Sequence, residues 1–465
     1  MAISFSVTHG AGGGSRLRKT LLKHFNLPPG EIATAERQFP ITSRMDVQSA
    51  LQELFGTLPG SSLLGITTMH HGELPSLGNM LAGANAYVDA GPLQYDDIDI
   101  GEATPARCLK NALWISRDEA LPFAVMMAPA GRFGMGKGVQ VEIGVPLGES
   151  GARLSTEFFR KLEILVGQGR TYRGRIISLE AQIDAMGGGS MVKVHRLPKI
   201  DRASVILPGK TLATLDHNVG EFMAARERLK ALRFQARKGL LFYGPPGTGK
   251  TFTIHYLASQ LTNHTTLLIT AGQVGFLGEY FRLARFLQPS LMVIEDVDLI
   301  ARERTHMHGA AEELLLNKLL NEMDGLQQDA EVLVILTTNR PEQIEPALVS
   351  RPGRIDQAIE FPLPNEEGRA KLTKLYARGL ELPDDVLELI VSQTKGVSAA
   401  FIKELMRRCA QFQIESSGGS VLGKAAVDAA IEEMIFAGGA LNRRLLGGDG
   451  ADQGPGRSGQ LRIST

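Results

Sequence analysis

Cysteine is nearly missing from this chain. Cys108 and Cys409 are its only two in 465 residues, too few for a disulfide framework or a cysteine metal cluster. They fall in what read as different domains, so a reducing cytoplasm is the expected compartment. Charge of one sign is missing as well. Fifty Lys and Arg stand against fifty Asp and Glu, so no global field favours nucleic acid or an anionic membrane, and neither is expected as a partner. Long hydrophobic runs are also lacking. Stretches such as Leu121–Ala130 and Val332–Leu336 fall well short of the roughly 20 residues of a membrane span. Met1–Gly10 has no basic start followed by an apolar core, so no signal peptide is expected. No His-Glu-x-x-His occurs, which excludes that kind of zinc protease, and His70-His71 lack the Cys or carboxylate companions of a metal site.

What is present is a chain too long for one ordinary domain; about two to four are expected. Residues 1–200 mix helical periodicity (Ser15–Phe25, Arg44–Phe55, Ser155–Val166) with strand-like runs (Leu63–Thr68, Phe123–Met127, Val139–Val145, Arg173–Ala181, Met191–His195). They read as an α+β region for substrate or partner recognition, with a flexible break at Gly187–Ser190. After an extended link, Val205–Pro208, helix and strand alternate regularly through residues 205–364, which predicts a parallel sheet covered on both faces. Only helical patterns follow in 365–437: Glu366–Leu380, Asp385–Gln393, Ser398–Ile414 and Lys424–Phe436. Residues 438–465, rich in Gly, Arg, Asp and Ser, read as a disordered tail.

Residues 244–251 are Gly-Pro-Pro-Gly-Thr-Gly-Lys-Thr, preceded by the apolar run Gly239 to Tyr243 and followed by an amphipathic run from Phe252. That spacing in a strand–loop–helix context is a phosphate-binding loop. Gly244, Pro245, Pro246, Gly247, Thr248 and Gly249 would wrap backbone N–H groups around the phosphates, and Phe252 continues the helix whose N-terminus faces them. Lys250 would reach the β- and γ-phosphates and the Thr251 hydroxyl would hold Mg²⁺. The similar Gly131–Gly138 run lacks the final Ser or Thr and leads into a strand, so it predicts no second site.

The companions of the loop narrow the class. Leu291–Ile294 is a buried strand that ends in Glu295-Asp296, one carboxylate for Mg²⁺ and one to orient and deprotonate the attacking water. A further strand, Val332–Leu336, ends in Thr337-Thr338-Asn339. Asn339 is either a turn residue or a second hold on that water. Arg351 and Arg354 lie in a stiff loop, either as solvated charges or aimed at the γ-phosphate of a neighbouring subunit.

In these motifs the segment from about Val205 to Phe436 resembles an AAA ATPase, one of the ATPases associated with diverse cellular activities. The phosphate loop matches residue for residue, the run TTNRPEQIEPALVSRPGRID matches most of the family's second homology region, and Leu316–Gly325 resembles the helix between them. The resemblance covers about half the chain. It implies a P-loop doubly wound α/β core with a small C-terminal helical lid, ATP and Mg²⁺ as cofactors, a ring of six subunits, and arginine fingers at Arg351 and Arg354. Gly396–Ala400 looks like the lid turn over the nucleotide. One departure stands out. The family usually has Asp then Glu at the acidic strand, and here Glu295 precedes Asp296. Shifting the register would put Val297 in the base position, which cannot accept a proton. The swapped order therefore assigns Glu295 to the metal and Asp296 to the base. A similar swap occurs in the AAA proteins that assemble mitochondrial respiratory complex III, which carry an N-terminal membrane helix not found in this sequence.

Phe276-Leu277-Gly278 resembles the aromatic–hydrophobic–glycine loop that lines the central pore of AAA unfoldases, where an aromatic grips polypeptide through apolar contact. A Phe packed at a helix start is the other reading. The expectation is a ring-forming, ATP-hydrolysing remodeller of protein substrates. The alternative is a nucleotide-dependent assembly scaffold with slow timing hydrolysis and no threading.

Overall fold

The computed structural model describes residues 15–68, 75–84, 88–118, 121–130, 138–169, 171–182, 189–298, 310–327, 330–344, 348, 354–416 and 418–434. The chain divides into two compact units, Met1–Arg196 and Leu197–Thr465.

The first unit is built on an antiparallel sheet in the order β1-β8-β7-β6-β2-β3. Its strands are β1 (Ile32–Pro40), β2 (Ser62–Thr68), β3 (Val88–Gly91), β6 (Ala112–Asp118), β7 (Leu121–Ala130) and β8 (Gly138–Pro146); β4 (Tyr95–Ile98) and β5 (Ala106–Leu109) pair separately. The central strand β7 is apolar at nearly every position because both faces are covered. Ala124 and Met126 pack with Leu17, Leu21 and Phe25 of α1 (Arg16–Phe25) and with Leu77 and Met80 of α3 (Leu77–Ala82). On the other face Phe123 stacks 5.6 Å from Phe55 of α2 (Arg44–Gly56) and lies 6.3 Å from Phe158 of α4 (Glu149–Gly167). A hairpin, β9 (Ile176–Gln182) and β10 (Gly189–His195), ends the unit. Gly189 and Ser190 are thus strand residues, where the glycine run alone reads as a break.

In the second unit, α5 (Gly209–Leu215) runs through a π-helical turn into α6 (Phe222–Ala231). Five parallel strands then lie side by side in the order β12-β13-β14-β11-β15. They are β11 (Lys238–Tyr243), β12 (Thr265–Ile269), β13 (Ser290–Ile294), β14 (Val332–Thr338) and β15 (Gln357–Glu360). Helices α7 (Lys250–Gln260), α8 (Leu277–Phe286) and α9 (Ala310–Asp324) connect them. Strand order departs from chain order because each parallel connection is a crossover, and this is the α/β arrangement expected from the alternating pattern. Every residue of β13 and β14 is buried, which accounts for the apolar runs Leu291–Ile294 and Val332–Leu336 within them.

Four helices follow, α10 (Glu366–Ala377), α11 (Asp384–Gln393), α12 (Ala399–Ser416) and α13 (Lys424–Glu432). They enclose their own core around Ile390, Phe401, Leu405, Cys409 and Val427.

Candidate nucleotide site

Parallel strands deliver their C-terminal ends to one edge of the sheet, where doubly wound folds bind ligands. Here Tyr243 of β11 pairs with Thr338 of β14, and Ile294 of β13 pairs with Leu336 of β14. The phosphate loop, Glu295-Asp296 and Asn339 therefore leave the sheet side by side.

The shape of the loop depends on its glycines. Gly247 and Gly249 have φ of 75° and 100°, a region that residues with a Cβ rarely adopt. A Cβ on Gly249 would meet nothing within 4 Å, so its φ alone accounts for glycine there. Thr248 is buried and its hydroxyl donates to Pro245 O at 2.9 Å, while Pro245, Pro246 and Gly247 stay exposed. Lys250 is 6 % exposed, and its Nζ donates to Gly244 O at 2.7 Å and Pro245 O at 2.9 Å. Burial pushes its ammonium down to about 8, against the attraction of the Asp296 and Asp298 carboxylates. Phe252 is 40 % exposed on the first turn of α7.

The two acidic residues have different partners. Thr251 Oγ1 donates to Glu295 Oε1 at 2.7 Å, so a hydroxyl and a carboxylate meet beside the loop. These are the hard oxygen donors that Mg²⁺ prefers, with phosphate oxygens and water as its other ligands, and the residues present fit ATP with Mg²⁺. Asp296 has φ 49°, a left-handed turn that Asp tolerates better than most side chains. Its N–H donates to Thr337 Oγ1 at 2.9 Å, and its Oδ1 accepts from Asn339 Nδ2 at 2.9 Å. Burial first, then the charge of Asp298, raises the Asp296 carboxyl, while Lys250 and the Asn339 hydrogen bond lower it.

Asp298 is a participant that sequence reasoning missed. It is 3 % exposed, and its Oδ1 accepts from Thr338 Oγ1 at 2.9 Å and Asn339 N at 3.2 Å. It ties the acidic strand to the Asn strand at the height where Asn339 meets Asp296. A carboxylate two positions beyond the acidic pair was the available signal.

Arg354 does not present itself as an exposed finger. It is 4 % exposed and forms a bidentate pair with Asp324 at the end of α9, with Nε to Oδ1 2.9 Å and Nη2 to Oδ2 2.7 Å. Arg351, His70, His71 and residues 131–137 lie outside the described residues. Phe276 is half-buried at the N-cap of α8, ending a 3-10 turn that begins at Ala271. The Tyr280 hydroxyl of α8 lies 3.0 Å from Leu268 O of β12 and 3.3 Å from Gln273 Oε1 in that turn.

The lid meets the phosphate loop directly. Ala400 N donates to Gly247 O at 3.0 Å, and a Cβ on Gly247 would come within 2.9 Å of Ala400 Cβ and Ser398 Oγ.

Residues 240–363, which contain the phosphate loop, both acidic residues and Asn339, match the family model for the ATPase family associated with various cellular activities (AAA). This segment is an AAA domain. The chain is similar to the proteasome-activating nucleotidase of Methanothermobacter thermautotrophicus, 35% identical over 208 residues, 42% of this chain and 50% of that protein. It is similar to 26S proteasome regulatory subunit 10B of Dictyostelium discoideum, 34% identical over 200 residues, 40% of this chain and 51% of that protein. The cell division cycle protein 48 homolog of Archaeoglobus fulgidus is 36% identical over 193 residues, 40% of this chain and 26% of its own length. The chain spans about half the length of the first two of these relatives. Among the described residues no helix is long and apolar enough to cross a membrane.

Proposed function

We propose that the protein is an ATP-hydrolysing AAA machine that forms a ring, six-membered as the family resemblance implies, and remodels or unfolds protein substrates. The observation that carries the hydrolase reading is the convergence of Thr251–Glu295 and Asp296–Asn339 beside the phosphate loop. In this reading Gly244 to Gly249 wrap the phosphates, and Lys250 exchanges its carbonyl partners for phosphate oxygens. Thr251 and Glu295 hold Mg²⁺, which when bound supplies positive charge to the phosphate oxygens. Asp296 takes the proton of the attacking water through the oxygen that Asn339 leaves available. Asn339 fixes the direction of that carboxylate. Arg351 is assigned to the neighbouring subunit's γ-phosphate.

The remodelling half rests on Phe276, a half-buried aromatic at a helix start, and on relatives named for the proteasome. The unit before Arg196 is assigned to substrate or partner choice. Buried, unpaired Cys108 and Cys409 suit a cytoplasmic setting. ATPase rate with and without an unfolded polypeptide tests the reading, and stimulation by polypeptide is expected.

One feature favours the second reading, a scaffold whose ring assembles on ATP and is timed by slow hydrolysis. Asp296 is shorter than the usual base, and one of its oxygens is engaged by Asn339. A slow rate indifferent to polypeptide would select it.

A further inference from the structure

Strand β1 closes one side of the six-stranded sheet of the first unit, and among the described residues no further strand pairs with its outer edge. Its ladder with β8 runs without a bulge from Ile32↔Pro146 to Pro40↔Gly138. One bond just beyond the ladder fixes the direction of each peptide group. Leu147 N donates to Glu31 O at 2.7 Å, and these two residues continue the same register. In an antiparallel pair, opposite residues that exchange bonds alternate with opposite residues that do not. Ala33, Ala35, Arg37 and Phe39 therefore bond to β8, while Thr34, Glu36 and Gln38 turn their N–H and C=O groups outward. All three of these outward residues are exposed.

Natural edges are usually guarded by a proline, a bulge or a charge held over the open groups. Strand β1 has its only proline at its last position, and its charged side chains are drawn back over the sheet. Glu36 Oε2 accepts from Gln140 Nε2 of β8 at 2.7 Å. The Arg37 guanidinium lies 5.2 Å from the Phe159 ring centroid and 3.4 Å from the Glu163 carboxylate, both on α4. It touches the edge only through Nη1, which donates to Glu36 O at 3.1 Å. Among the described residues nothing else bonds to the outward groups of Thr34, Glu36 and Gln38. The rims on either side differ in polarity. Thr34 lies on the side of α3, where a Cβ on Gly78 would stand 3.5 Å from its Oγ1, and Glu36 and Gln38 share that face. Ala33, Ala35 and half-buried Phe39 share the opposite face with Arg37.

We propose that the outer edge of β1 receives an extended segment of unfolded polypeptide, with alternating apolar and polar residues, as a further strand of the sheet. Main-chain hydrogen bonds to Thr34, Glu36 and Gln38 hold it, and its apolar side chains lie beside Ala33, Ala35 and Phe39. Recognition through backbone tolerates many sequences, which suits a remodeller. The competing occupant is β1 of a second copy. Two copies of one edge pair about a two-fold axis, which a six-membered cyclic ring does not contain. The proposal rests on the remodelling reading above and gives the first unit its substrate chemistry.

The experiment substitutes proline, whose effect here depends on parity. At Thr34 it removes an outward N–H and sets its ring against an incoming strand, while the bonds to β8 remain. Thr34→Val changes the same side chain and keeps the N–H. The probe is a reduced, alkylated, fluorescently labelled protein that cannot refold, added to the full-length chain. Thr34→Pro should raise its Kd at least about tenfold, whereas Thr34→Val should bind as wild type does. In wild type, amide exchange at Thr34, Glu36 and Gln38 should slow at least about tenfold when the probe binds. Wild-type Kd in Thr34→Pro, or exchange at these amides untouched by bound probe, would overturn the proposal. Remodelling would survive that result if the probe still stimulates the ATPase. A probe that neither binds nor stimulates wild type would defeat both. Protection of the same amides without probe, growing with protein concentration, would give the edge to a second copy and overturn the proposal too. If Thr34→Pro melts early, the wild-type exchange decides alone.

Discussion

Lys250 Nζ donates to the carbonyl of Gly244 at 2.7 Å, so the lysine closes its own phosphate loop from within. A phosphate must displace this contact, and the ammonium is already short of solvent. Burial leaves it at about 8, below its ordinary 10.5. Between those values the unfolded chain holds the proton and the folded one does not. The contribution of Lys250 to stability therefore rises with pH through that window.

Nucleotide phosphates would draw the lysine proton back. At about pH 9, ATP binding should take up protons, measurable by calorimetry in buffers of differing ionisation heat. Absence of uptake would mean that the lysine is charged before ATP arrives. Lys250→Ala should abolish binding or reduce it severely, because two phosphates lose their main counter-charge.

Asp296→Asn should retain ATP and stall hydrolysis, leaving a stable nucleotide-loaded assembly. The amide can still accept from Asn339 Nδ2 but cannot take a proton from water. Single-turnover phosphate release is the measurement, and a normal rate would remove Asp296 from the role of base.

Arg351→Ala should keep nucleotide affinity and lower turnover by up to roughly 10³-fold. Mixed with Lys250→Ala protein, some activity should return, since an intact arginine can then face an intact site across a subunit boundary. If mixed rings form and nothing returns, Arg351 either serves its own subunit or is structural.

Phe276→Ala removes apolar area from a half-buried side chain, so it should cost less than the about 3–5 kcal/mol of a fully buried Phe. Basal ATPase should persist while processing of an unfolded substrate is lost. A stable variant that processes substrate at full rate would count against threading and favour the scaffold.

Much of the architecture was legible because it is written in local chemistry. Strands β13 and β14, buried along their whole length, are marked by the apolar runs Leu291–Ile294 and Val332–Leu336, and the phosphate loop has glycines that its φ angles require. Strand β1 escaped for the opposite reason. It is an edge strand, largely exposed, and Ala-Glu-Arg-Gln carries neither an apolar run nor clean alternation. The partners of Asp298 and Arg354 were illegible because they come from strands and helices distant in the chain. Thr338 reaches Asp298 only once β14 lies beside β13, and Asp324 meets Arg354 only once α9 folds back to the start of β11.

The bond from Ala400 N to Gly247 O joins the phosphate loop to the second residue of an eighteen-residue helix. Such a rod is about 27 Å long, and a tilt of about 5° at its base moves its far end by roughly 2 Å. Because a Cβ at Gly247 would collide with Ser398 and Ala400, no slack lies between loop and rod. Any displacement of Gly247 would therefore be carried without play into α12, with the helix as lever arm and a single glycine carbonyl as its fulcrum.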